Sequence, residues 1–222
     1  MMDRNLGATI TGFAGSRNTA PSSSTDAVKY YGLMYQWGRK DPFVGSSDGT
    51  NSTKVKILNS TGGTYAEGTT GSTTLAYSVQ HPGTFITGGD WLSTQNDDLW
   101  SGKTAGTAKS VFDPCPPGWR VPKGGSDTDN PWKGFTTSNF ASLGSGATFG
   151  RYEKTTTNAW YPASCYLPRN DGSLLGVGSF GYFWSASPSG QDGYNLYFGS
   201  SDVKPSYYSS RANGFPVRCV QE

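Results

Sequence analysis

The sequence predicts a single domain of the α+β class, with short antiparallel strands, about two helices and long irregular loops. Three observations predict it. Apolar runs are short, β-branched or aromatic, and bounded by Gly, Pro, Asn and Ser, the pattern of strands and turns. Two segments carry helix-start and helix-stop residues. No linker and no internal repeat divides the 222 residues, which are enough for one sizeable core.

In chain order, strands are expected at "GLMYQWG" (Gly32 to Gly38), "TFGRYE" (Thr148 to Glu153), "AWYPAS" (Ala159 to Ser164), "GYFWSAS" (Gly181 to Ser187), "YNLYFG" (Tyr194 to Gly199) and "FPVRCV" (Phe215 to Val220). Helices are expected at "DWLSTQNDDLW" (Asp90 to Trp100), where Asp90 can cap the first turn, and at "TTSNFASLG" (Thr136 to Gly144), which has Thr or Ser caps and a Gly stop. The stretch from Gly45 to Gly71 is too long for a simple turn. Loops of that length in a compact domain carry function or pack on themselves.

Composition excludes several classes. Charged residues are 15%, against about a quarter in an average domain, while aromatics reach 14% and glycines 31. Aromatic-rich, charge-poor chains are ordered rather than disordered. The net charge of +2 comes with no basic cluster, so no nucleic-acid partner is expected. No apolar run is long enough for direct membrane insertion. The opening "MMDRNLGATITG" carries no signal peptide, and its doubled Met reads as a start placed before an internal segment. A domain cut from a longer surface protein is therefore expected.

The search for chemistry yields few candidates. His81, the single histidine, precedes a Pro and reads as structural. No CxxC or HxxxH spacing suggests a metal site, and no nucleophile elbow, P-loop or dinucleotide fingerprint is present. "SDTDNPW" places Asp127, Asp129 and Asn130 like the start of a calcium loop, but the required Gly and Glu are missing, and a polar turn is the better account. Asp97 beside Asp98 reads as a solvated helix face. No enzyme, cofactor or metal is expected.

Three cysteines leave an odd count. Cys115 in "DPCPPGW" and Cys219 in "PVRCV" both adjoin apolar positions. A bridge between them would close a loop of roughly 100 residues, worth about 4 to 5 kcal/mol in the chain-entropy picture. Two buried free thiols are the alternative. Low charge and abundant Ser, Thr and Gly favour the bridge and an extracytoplasmic setting, on the cell surface or secreted. Cys165, in "PASCYLPR", is then unpaired.

Taken together, "MDRNLGAT", "GLMYQWGRKDPF", "TFITGGDWLSTQNDDLW", "VFDPCPPGWRVP", "FWSAS" and "RANGFPVRCV" resemble a large paralogous domain family of gut bacteria. The resemblance runs from Met2 to Val220. It implies a C-type-lectin-like fold, and some members of the family are variable proteins of diversity-generating retroelements. In those, error-prone copying of template adenines turns Asn codons into Tyr, Ser, Asp, Gly and others just before a closing segment like "RANGFPVRC". The chain departs from the pattern at Cys165, where the family motif carries Gly; a free thiol there would offer a route to dimers in vitro. The "EPN", "QPD" and "WND" calcium motifs of sugar-binding lectins are absent, so calcium-dependent sugar binding does not follow from the fold name.

The stretch from Ser189 to Ser210 has the composition that such randomisation leaves. Of its 22 residues, 16 are Ser, Gly, Tyr, Asp or Asn. Antibody loops use the same mixture, in which Tyr supplies contact area at low entropy cost and Ser, Gly and Asn adapt their hydrogen bonds. Strand alternation in "YNLYFGSSDV" turns Leu196 and Phe198 to the core and Asn195, Tyr197, Gly199 and Ser201 outward. Tyr194, Tyr207 and Tyr208 are expected to add anchors from adjoining turns, with Ser189, Asp192, Asp202, Ser209 and Ser210 as polar neighbours.

The remaining motif residues read as architectural. Trp37, Trp119 and Trp184 are expected in the core, and Arg4, Arg39, Arg120 and Arg218 as partners of backbone or of Asp3, Asp41 and Asp113. The sequence therefore points to a non-enzymatic binding domain with a hypervariable surface. Its partner would be a protein or other macromolecule on another cell or phage, or a glycan. The alternatives are a fixed adhesin or glycan-binding domain and, more remotely, an enzyme related to the formylglycine-generating branch of the fold.

Overall fold

A computed structural model describes residues 1–10, 20–51, 71–101, 108–154 and 159–222. The expected functional loop from Gly45 to Gly71 lies, for residues 52–70, outside them. In chain order the elements are α1 (Ser24–Tyr31), β1 (Leu33–Gln36), β2 (Phe43–Val44), α2 (Leu75–Gln80), β3 (Trp119–Arg120), β4 (Phe140–Leu143), β5 (Gly150–Glu153), β6 (Trp160–Pro162), β7 (Gly181–Ser189), β8 (Asp192–Phe198), β9 (Val203–Ser210), β10 (Gly214–Pro216) and β11 (Val220–Gln221). They form four small antiparallel sheets, ordered β10-β1-β2, β11-β3, β4-β5-β6 and β7-β8-β9.

This corrects the expected α+β class. Of the described residues, 29% are in strands and 9% in helices, a β-rich architecture. Both expected helices are absent. Between Asp90 and Trp100, Asp90 accepts from the Leu92 amide at 3.0 Å and Asn96 from the Asp98 amide at 3.0 Å. Such local bonds from Asn and Asp side chains compete with helical ones. At Thr136, reciprocal bonds with Asn139 close a single turn, but Phe140 then pairs with Glu153 and buries completely, so the chain continues as β4.

The helices lie where the sequence signal is a cap. Ser23 accepts from the Asp26 amide at 3.2 Å and Asp26 pairs with Lys29 at 2.8 Å, starting α1. Thr74 caps α2 in the same way, with the Tyr77 amide at 3.1 Å. None of the described helices is long and apolar enough to cross a membrane.

Core side chains gather in three clusters. One is built around Trp37, Trp91, Trp100, Trp184 and Phe215, and a second around Trp132, Phe140, Tyr161, Phe183, Leu196 and Phe198. A third holds Met34, Phe43, Phe85, Cys165, Leu167 and Leu174. Strand β7 separates the first two: Trp184 enters one and Phe183 the other, which explains a continuous buried run where alternation alone would leave one side wet.

Cys115 and Cys219 are joined by a disulfide across 104 residues of chain, while β3 pairs with β11 beside it. Met2 donates its amide to the Cys219 carbonyl at 2.7 Å, so both ends of the domain and its middle meet here.

Buried arginines serve mainly backbone. Arg218 donates to Asn5 Oδ1 (3.0 and 2.8 Å) and to the Trp160 carbonyl, with its guanidinium 4.0 Å from the Tyr161 ring centre. Arg39 donates to Gln36 Oε1 and the Thr84 carbonyl and lies 3.8 Å from Asp41; burial pulls its pKa down to about 10. Arg120 donates to the Ser101 carbonyl, and Arg4 pairs with Asp3 at the surface. Asp113 accepts from the Cys115 and Val121 amides, and burial pushes its carboxyl up.

Cys165 is fully buried, which corrects the expectation that it offers a route to dimers. Its φ of 90° lies in the left-handed region that glycine favours. That conformation accounts for Gly at this position in the resembling motif. Burial pushes the thiol up to about 12, so it stays protonated at neutral pH. Thiol titration with a soluble aromatic disulfide is expected to find no reactive cysteine in the native protein, one after unfolding, and three after unfolding with reduction. A native thiol that reacts at once would contradict this burial.

Candidate functional site

The β7-β8-β9 sheet carries the Tyr- and Ser-rich stretch. Alternation sends Phe183, Leu196 and Phe198 to one face, in the second cluster, and Tyr182, Trp184, Asn195 and Tyr197 to the other. Across the strands Tyr182 opposes Tyr197, Tyr197 opposes Lys204, and Asn195 opposes Tyr207. Between those last two pairs β9 holds one extra residue, a bulge at Pro205 and Ser206. Proline is tolerated at such an irregularity because no ladder donor is required of it.

On this second face the rings form a continuous series from core to solvent. Centroids are 4.2 Å apart for Trp184 and Phe215, 4.5 Å for Phe215 and Tyr182, 5.0 Å for Tyr182 and Tyr197, and 5.3 Å for Tyr197 and Tyr207. Tyr166 joins at Tyr182 (5.1 Å) and Phe180 at Tyr197 (6.1 Å). Trp184 is wholly buried, whereas Tyr207 is 37% and Tyr208 56% exposed; Phe180 and Leu175 are exposed as well. Lys204 Nζ lies 5.4 and 5.1 Å from the ring centres of Tyr197 and Tyr207, and 3.6 Å from Asp202. Burial pushes the Tyr182 and Tyr197 hydroxyls up, so both stay neutral.

The expected site residues therefore divide. Tyr197, Tyr207 and Asp202 belong to this aromatic patch, and Ser201 is exposed in the β8-β9 turn. Gly199 in that turn is buried, against the expectation that it faces outward. Asn195 lies on the expected face but is only 1% exposed, donating to Ser209 Oγ at 3.1 Å; neighbouring β9 covers it. Tyr194 and Tyr208, opposed to each other, fall on the far face, and Tyr194 packs against Gly125. Ser189, Asp192 and Ser210 sit at the opposite end of the sheet, by the β7-β8 turn. Tyr194, Tyr207 and Tyr208 are strand residues, not turn residues as expected.

Buried arginines hold both turns of this sheet. Arg151 donates to the Gly199, Ser200 and Phe140 carbonyls at 3.0, 3.0 and 2.6 Å. Arg211 donates to the Gly190 and Asp192 carbonyls, pairs with Asp97 at 2.7 Å and lies 4.2 Å from the Trp37 ring centre. Asp97 is thus not on a solvated helix face.

Sequence reading missed Tyr166, Phe180, Tyr182 and Lys204. Tyr182 was accessible from the alternation of "GYFWSAS", two residues from the inward Trp184. Tyr166 reaches the patch from a segment held by its β-bridge to Leu175, which leaves no local signal.

Asp127 accepts from the Asp129 amide, and Asn130 donates to the Gly125 carbonyl, forming a polar turn against β9. Among the described residues no three His, Cys, Asp or Glu side chains gather in a metal-binding group. His81 stacks on Tyr77 at 4.1 Å. No family model, no curated protein and no solved structure matches the chain.

Not every position in the stretch tolerates change. A Cβ at Gly193 would lie 2.5 Å from Trp37 Cδ1, inside contact distance of a fully buried ring. Gly193→Ala is expected to cost about 1–3 kcal/mol in denaturant unfolding, while Ser201→Ala leaves stability unchanged within about 0.5 kcal/mol. Equal stability of the two variants would contradict the packing described.

Proposed function

We propose that the chain is a non-enzymatic ligand-binding domain whose binding surface is the aromatic patch of Tyr197, Tyr207, Tyr182, Tyr166 and Phe180, with Lys204 and Asp202 at its rim. The observation that carries this reading is the continuous ring series, anchored on the buried Trp184 and open to solvent at Tyr207. Tyrosines held this way present amphipathic area with little rotamer freedom left to lose, the property that makes Tyr a frequent hot-spot residue. An exposed apolar group of this kind is unusual on a chain that has no partner.

The composition of Ser189 to Ser210 and the motifs around it support a diversified receptor of the retroelement type, displayed outside the cytoplasm. The disulfide accords with that location. A fixed adhesin is the second reading, favoured by Tyr166 and Tyr182, which belong to the patch yet lie outside the Ser-, Gly- and Tyr-rich stretch.

Two measurements test the proposal. Tyr197→Ala with Tyr207→Ala is expected to leave the melting transition within a few degrees and to weaken capture of a cognate ligand by tenfold or more, a loss of about 1.4 kcal/mol or greater. Retained binding in the folded double variant would remove the patch from the site. Sequencing around the gene is expected to find a reverse transcriptase and a near-copy of the Ser187 to Cys219 region, with adenines at the Tyr, Ser, Gly and Asp codons. Absence of such a copy would leave the fixed binder.

A further inference from the structure

The outer edge of β9 has a feature that the ring series does not use. Sheet order makes β9 an edge strand, and beyond its ladder with β8 the backbone hydrogen bond it makes among the described residues is from the Asn213 amide to the Ser210 carbonyl, at its end. Half of an edge strand's N–H and C=O groups point away from the sheet. The opposite edge, on β7, is partly covered: the Ala186 amide donates to the Pro122 carbonyl at 2.7 Å, and the Gly124 amide to Ser187 Oγ at 3.1 Å.

Proteins guard open edges with charge, proline and bulges. All three are present in β9, and all lie in its first half: Lys204, Pro205 and the irregularity at Pro205 and Ser206. Asn130 also covers that half by donating to the Pro205 carbonyl at 3.3 Å. From Tyr207 to Ser210 the strand carries no charge and no proline, and among the described residues the backbone group held there from outside the ladder is the Ser210 carbonyl, which accepts from the Asn213 amide and side chain. Tyr207 and Tyr208 alternate in register, yet their rings stack at 5.9 Å and are the most exposed apolar groups of the strand.

We propose that Tyr207 to Ser210 receives an extended, uncharged polypeptide segment of the partner as a fourth strand beside β9. The proposal rests on the reading of the aromatic patch as the binding surface. Alternating backbone donors and acceptors at strand spacing match another extended chain and not a glycan. The side chains of an added strand alternate between the two faces, so one set falls toward Tyr197 and the patch, beside the stacked rings of Tyr207 and Tyr208. Charge complementarity sets the chemistry of the segment. Lys204 and Asp202 neutralise each other at the rim, and Tyr207 to Ser210 offers no charge, so apolar and hydroxyl side chains fit and a charged segment would lose solvation without compensation.

The test pans short linear random peptides, displayed on phage, against the folded domain and characterises the selected peptides. Binding of such a peptide is expected to slow amide exchange within Tyr207 to Ser210 by about tenfold or more. N-methylation of alternate peptide amides is expected to weaken binding by about tenfold for each ladder bond blocked. Peptides that bind without protecting these amides, or that tolerate N-methylation on both sets of positions, would overturn strand addition and leave the patch reading intact. Peptides that protect the edge yet bind equally well to the Tyr197→Ala, Tyr207→Ala variant would sink the patch reading and keep strand addition. Failure to select any peptide, or protection of these amides by a concentration-dependent dimer of the chain itself, would also overturn the proposal.

Discussion

Two indoles hold this molecule in register. Trp37 donates its Nε1–H to the Ser185 carbonyl at 2.8 Å, and Trp184 donates its own to the Tyr35 carbonyl at 2.8 Å. Strands β1 and β7 belong to different sheets, yet Trp37, directly after β1, bonds the backbone of β7, and Trp184, within β7, bonds the backbone of β1. Burying an indole N–H without an acceptor is costly, and these two find one while filling the core between them. Trp91 extends the lock by donating to the Trp37 carbonyl at 2.7 Å. With β7 fixed in this way, Tyr182 emerges two residues from Trp184 at the edge of the core, and the aromatic patch grows outward from it.

A chain with so few charges spends its arginines inside. Arg39, Arg211 and Arg218 are among the most fully buried side chains, and Arg151 is nearly as buried. Arg39, Arg151 and Arg211 donate chiefly to backbone carbonyls, and Arg218 to Asn5 Oδ1 and one carbonyl. Four small sheets leave many strand ends. Guanidinium groups, with five donors in a fixed fork, satisfy several at once. Arg151 and Arg211 do this at the two turns of the β7-β8-β9 sheet, so the surface that carries the variable-looking residues is braced at both ends.

The patch and the edge of β9 make different demands on the chain. Aromatic side chains can be exchanged one by one without touching the ladder, provided the ring beneath them stays in place. Backbone groups at an edge are independent of side-chain identity. Under the proposed strand addition, a scaffold that combines the two would keep a constant mode of attachment while side chains alter what is attached. Gly193, Asn195 and Gly199 mark where this freedom stops, because each is enclosed by Trp37, by β9 or by the turn.

Six strand segments were readable from residues alone, while β2, β3, β4 and β9 were not. Each of the six expected strand segments contains strand, because short β-branched or aromatic runs and their bounding turn residues are local properties. The composition of the Ser189 to Ser210 stretch marked it as a binding candidate without any coordinates. Tertiary structure decided the rest. It turned two capped segments away from helix, since Arg211 holds Asp97 and Phe140 is worth more in the second core cluster than in a helical turn. It also divided the stretch between two faces and two ends of one sheet, and brought in Tyr166, Phe180 and Lys204, whose neighbours are set by strand register and long-range bridges. Local pattern determines which residues can be strand or surface; only packing decides which surfaces coincide, because contacts between distant segments leave no periodic trace in the chain.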